Sequence, residues 1–146
     1  MNEERIVLDT NCLLQILPKK SDYNHIWTDI LSGKVRLCVC NDMIMEYMEV
    51  LTNHISFEIA DNIITVILHL PGTIFVHNYY KWNAITIDPD DNKFVDCAFA
   101  AQAKFLVSND AHFNDVKRSK VPDIEIVSLE EYAFLRTRNN PNKEID

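Results

Sequence analysis

The chain has 146 residues, an apolar fraction of 47% and a formal net charge of −8. That length suits one domain with a real core, and that apolar fraction excludes intrinsic disorder. The acidic balance argues against broad, nonspecific binding to phosphate backbones, although a tight group of carboxylates neutralised by a dication is compatible with it.

No apolar run approaches the roughly 20 residues that a membrane helix needs. The charged start Met1-Asn2-Glu3-Glu4-Arg5 has no apolar signal region behind it. A cytoplasmic protein without a membrane partner is expected. Cys12, Cys38, Cys40 and Cys97 are expected there as free thiols packed in the core, because none has Cys-x-x-Cys spacing.

Ile6-Val7-Leu8 runs straight into Asp9-Thr10-Asn11. Such a run reads as a strand buried on both faces, with Asp9 at its carboxyl end, where open α/β sheets bind ligands. Asp9 and Thr10 can equally cap the helix that follows. That helix is expected over Leu13–Leu17, stopped by Pro18. Ile26, Trp27, Ile30 and Leu31 mark a second helix ended by Gly33, and residues 34–40 a second strand. Asn41-Asp42 opens a helix with an apolar stripe of Met43, Ile44, Tyr47, Val50 and Leu51, and Glu46 and Glu49 share one of its faces.

A largely apolar helix over about 57–70 and a third strand over 73–76 come next. Residues 77–87 are irregular and aromatic. Tyr79, Tyr80 and Trp82 could stack bases there or pack in a core or dimer. Asp88-Pro89-Asp90-Asp91 is a turn leading into an alanine-rich helix from Phe94 to Gln102. Phe105-Leu106-Val107 is the fourth strand, followed by Ser108-Asn109-Asp110. Lys117-Arg118-Ser119-Lys120 is a local basic run that could meet phosphate. Ile124–Val127 is the fifth strand. Ser128 and Glu131 form a capping box for the last helix. The alternation predicts an α/β fold, a three-layer α/β/α sandwich around a central parallel sheet of about five strands. One domain is expected over residues 1–136, with a polar tail over 137–146.

Asp9, Glu46, Asp91, Asp96 and Asp110 all fall at element boundaries or on helix faces near the carboxyl edge of that sheet. Oxygen donors in such a set suit Mg²⁺ or Mn²⁺. Ions of that kind can lower the pKa of a bound water and stabilise the leaving oxygen of a phosphodiester.

Four segments carry a resemblance: Leu8-Asp9-Thr10-Asn11; Asn41–Tyr47 with Val50-Leu51 behind it; Asp88–Phe94; and Val107–Asp110. In this order and spacing the chain resembles the PIN-domain ribonucleases, and within them the VapC-like toxins of toxin–antitoxin pairs, over about Ile6 to Phe134. The resemblance implies a PIN-like fold, Mg²⁺- or Mn²⁺-dependent endonucleolytic hydrolysis of RNA, a homodimer and an antitoxin protein as partner. Carried over residue by residue, it implies Asp9, Glu46, Asp91 and Asp110 as catalytic acids and metal ligands, with Asp96 as a further ligand. Asn11, and Ser108 or Asn109, match polar positions that orient the carboxylates or a metal-bound water, and Thr10 supports them. His112 is a weak candidate for touching substrate.

Three other readings compete, of which a response-regulator receiver fits poorly, because it wants a phosphoacceptor Asp after strand three, where this chain has Val76-His77-Asn78. A PIN fold can serve as an inactive binding module. A haloacid-dehalogenase-like phosphatase also opens on a strand and an Asp, but needs a second Asp two residues on, where this chain has Asn11.

Overall fold

The computed structural model describes residues 4–77, 92–110 and 124–138. Five strands, β1 (Glu4–Leu8), β2 (Val35–Cys40), β3 (Ile74–Val76), β4 (Phe105–Val107) and β5 (Glu125–Val127), form one parallel sheet in the order β3-β2-β1-β4-β5. The register sets Ile6 beside Leu37 on one side and beside Phe105 on the other, and Leu8 beside Val107.

The helices are α1 (Thr10–Ile16), α2 (Asn24–Leu31), α3 (Asn41–His54), α4 (Phe57–His69), α5 (Asn92–Ala101) and α6 (Leu129–Arg138). Strand residues Ile6, Val7 and Leu8, Leu37 to Cys40, and Phe105 to Val107 are all buried. Successive side chains on a strand point to opposite faces, so both faces of the sheet are covered. The expected three-layer α/β/α sandwich with a parallel sheet is the observed fold. Alanine-rich α5 packs on β1, β2, β3 and β4, where its small side chains allow close approach.

Local chemistry explains most boundaries. Gly33 closes α2 with a φ of +84°, a conformation glycine adopts without steric cost. Ser56 caps α4 by accepting from the Ile59 N–H at 3.1 Å. The capping box of α6 is present: the Ser128 hydroxyl accepts from the Glu131 N–H at 3.0 Å, and a Glu131 carboxylate oxygen accepts from the Ser128 N–H at 2.9 Å.

Several boundaries differ from expectation by a few residues, and three of them have a local cause. α1 begins at Thr10 rather than Leu13, because Asp9 caps it. α5 stops at Ala101: Gln102 takes a φ of +57°, and the Ala103 N–H donates back to the Ala98 carbonyl at 2.8 Å. α6 continues through Thr137, whose hydroxyl donates to the Ala133 carbonyl, to Arg138. None of the described helices is long and apolar enough to cross a membrane.

Candidate functional site

The strand order reverses direction between β1 and β4, and in an open parallel sheet the crevice at the carboxyl ends of such a pair is the binding position. Asp9 follows β1 there and Ser108 follows β4. The ladder runs past both strands, with the Asp9 N–H donating to the Val107 carbonyl at 3.1 Å and the Ser108 N–H to the Val127 carbonyl at 2.9 Å. Residues about one hundred positions apart are thereby fixed side by side.

Asp9 is only 8% exposed, and both of its carboxylate oxygens have donors. Oδ1 accepts from the Cys12 N–H at 2.9 Å, which caps α1. Oδ2 accepts from the Ser108 hydroxyl. Ser108 Oγ in turn accepts from the Asp110 N–H at 3.0 Å. One serine therefore ties Asp9 to the loop that carries Asp110. An ionised carboxylate offers about four lone-pair sites, so two hydrogen bonds leave capacity for a further partner. Asp9, Asn11, Leu14, Gln15, Asn109 and Asp110 line a cavity of about 340 Å³. Asn109 also has a structural task, its Oδ1 accepting from the Leu129 N–H at 2.9 Å at the start of α6.

Glu46 arrives from the other side of β1. α3 leaves β2 with no intervening loop, so Glu46 lies less than two turns from the sheet edge. Tyr47, fully buried, donates its hydroxyl to the Leu8 carbonyl at 2.5 Å and pins α3 to the end of β1. Its neighbour Glu46 accepts from the Thr10 hydroxyl through Oε2 and pairs with the Lys93 ammonium through Oε1 at 2.7 Å. Burial holds the Tyr47 phenol well above its ordinary pKa, with Cys97, Asp9, Cys40 and Cys12 adding to it, so the phenol stays a donor. Burial, then the charge and hydrogen bond of Asp9, push the Cys12 thiol up. A hydrogen bond with Cys40, then burial, does the same for Cys97. Burial pushes Cys38 up to about 12. All four cysteines are free, buried thiols, as expected for core packing.

Of the expected site residues, Asp9, Asn11, Asn109 and Asp110 share the cavity wall, Ser108 links two of them, and Thr10 joins the Asp9 segment to Glu46. Asp96 lies on α5, 2% exposed, and its charge acts on the Cys97 thiol. Glu46 and Asp96 are not among the described residues lining the cavity. Among the described residues, no group of three or more His, Cys, Asp or Glu side chains is placed to hold a metal ion. The atoms on the cavity wall able to ligate a metal are carboxylate and amide oxygens, a chemistry suited to hard cations. Asp91 lies outside the described residues, as do Asp88, Asp90, the Tyr79, Tyr80 and Trp82 cluster, His112 and the basic run 117–120. Glu49 is exposed, as a solvated residue would be.

Two contributors escaped the sequence reading. Tyr47 was legible as a core residue but not as the anchor of Glu46. Lys93 stood in plain view: a cation in the first turn of a helix opposes the helix dipole and calls for an anion nearby.

Residues 5–112 match the family model described as PIN domain. The chain belongs to the PIN domain family. The PIN fold is also what solved structures show. VapBC-1 from nontypeable Haemophilus influenzae is similar with a TM-score of 0.59 and 15% identity, covering 86% of this chain and 98% of that one. VapBC2 from Rickettsia felis, solved with a DNA fragment from its promoter, gives 0.57 and 17%, covering 85% and 98%. Comparison with curated proteins gives no match by sequence. Membership of the PIN family sets aside the phosphatase reading.

Proposed function

We propose that this PIN domain is a metal-dependent endoribonuclease acting in the cytoplasm, and the toxin half of a toxin–antitoxin pair. The observation that carries the reading is Asp9 and Asp110 on the wall of one cavity at the β1/β4 switch point, linked through Ser108. The donors fit a Mg²⁺ or Mn²⁺ ion, since such ions take one or two carboxylates and keep several waters. Asp9 and Asp110 would hold it, with Glu46, Asp91 and Asp96 as the further acids. When bound, such an ion lowers the pKa of an attacking water and neutralises charge on the leaving oxygen.

The chain's own contribution is to fix the donors before substrate arrives. The Cys12 N–H and Ser108 hydroxyl hold the Asp9 carboxylate in one orientation. Tyr47 and Thr10 do the same for Glu46 from α3. Groups fixed in advance need no rearrangement as charge develops in the transition state. Asp9→Asn should lower RNA cleavage in Mg²⁺ by at least about a hundredfold with the fold intact. Cleavage by that variant at the wild-type rate would refute the assignment.

The partner reading rests on the VapBC complexes to which the fold is similar. Phe57, Ile59, Val66 and Leu68 on α4 and Met45 on α3 are exposed apolar side chains, surface for another protein to cover, an antitoxin or a second copy of the chain. Co-expression with the adjacent reading frame should restore growth to cells expressing this chain. Growth arrest that persists with both proteins present would refute the pairing.

A further inference from the structure

Lys93 stands in the first turn of α5, where the positive end of the helix dipole disfavours a cation. Its ammonium nevertheless lies 2.7 Å from Glu46 Oε1, and 5.2 Å from the centroid of the Phe94 ring. The Lys93 and Glu46 side chains are 14% and 30% exposed, so the pair is partly withdrawn from solvent and less screened than a surface pair. The other Glu46 oxygen accepts from Thr10. Both oxygens of this acid therefore have a partner within the chain, and one of those partners is a full positive charge.

We propose that Lys93 is an internal counter-cation of the acidic site. It holds the Glu46 carboxylate in place and weakens the binding of a dication, so that metal affinity is set by competition between the ammonium and the ion. The inference rests on the metal-dependent reading above and deepens it. Two physical effects act in the same direction. An ion that uses Glu46 must share that carboxylate with an ammonium already bonded to it. A dication held by Glu46 also meets like-charge repulsion from the ammonium 2.7 Å from that carboxylate, in a partly desolvated place. Both effects depend on the charge at position 93 and not on the shape of the side chain. A lysine retained only for packing would act through its stem, which methionine largely reproduces.

The test is a Mn²⁺ titration of the full chain at fixed pH and ionic strength, with free ion read by electron paramagnetic resonance. Wild type is compared with Lys93→Arg, Lys93→Gln, Lys93→Met and Glu46→Gln, and circular dichroism checks each fold. The two neutral variants should bind Mn²⁺ about tenfold more tightly than wild type. Lys93→Arg should stay within about twofold. The gain from Lys93→Gln should shrink when Glu46→Gln is already present, since the shared carboxylate is then gone. Mn²⁺ should also raise the melting temperature of the neutral variants more than that of wild type. Wild-type binding that is equalled, or weakened, in both folded neutral variants overturns the inference and leaves the metal site standing. No saturable Mn²⁺ binding by wild type or neutral variants overturns the metal-dependent reading, and the inference with it.

Discussion

Asp9 does two jobs with two oxygens. As the cap of α1 it uses Oδ1, and as a partner of Ser108 it uses Oδ2. The sequence posed capping and function as alternatives, because a cap and a catalytic acid call for the same residue after a strand. The geometry makes them compatible. They can be separated by substitution: Asn caps a helix about as well as Asp, whereas Ala does not. Asp9→Ala should lose about 1 kcal/mol of stability in a urea titration and Asp9→Asn much less, while both lose cleavage. Equal destabilisation by the two would mean that the charge, and not the cap, matters to the fold. The first-turn position of Lys93 signals that it needs an anion, but that the anion is Glu46 depends on how α3 and α5 pack, which no local pattern encodes.

The elements carry their signals unevenly. Gly33, Pro18 and the Ser128–Glu131 box were legible because each is a local chemical device, complete within a few residues. The end of α5 was not, since a glutamine occupies the left-handed position where a glycine would have announced it. α3 shows how an element positions chemistry. Its apolar stripe placed Tyr47 in the core, but only the structure shows the hydroxyl bonded to the Leu8 carbonyl at the end of β1. That bond sets the rotation and depth of the helix that presents Glu46. Tyr47→Phe would leave a buried carbonyl without this donor, a cost of about 1–3 kcal/mol. The variant should unfold at lower urea and cleave RNA more slowly even when fully folded. Unchanged cleavage by the folded variant would show that Glu46 needs no such anchor.

At the scale of the whole molecule, the fold class was legible from alternating strands and helices, but the strand order was not. The order β3-β2-β1-β4-β5 follows from which strands pack together across the sheet, and it is what turns two separate Asp-bearing turns into one crevice. The other end of β1 is held differently. Arg136 from α6 pairs with Glu4 at 3.2 Å and with buried Asp29 of α2 at 3.1 Å, and the Tyr132 hydroxyl donates to Glu4. Breaking one member of such a buried pair leaves an uncompensated charge, so α2 and α6 are committed to one docking position. Asp9 and Asp110 share a cavity at the carboxyl end of the sheet, while the opposite end of β1 is tied down. Under the metal-dependent reading, the two carboxylates on that cavity wall repel unless a cation joins them. Anomalous diffraction from crystals grown with Mn²⁺ puts this to the most direct test. A peak in the cavity between Asp9 and Asp110, absent from Asp9→Asn crystals, is the expected result. A cavity without a peak at saturating Mn²⁺, or a peak bound only elsewhere on the surface, would contradict the account.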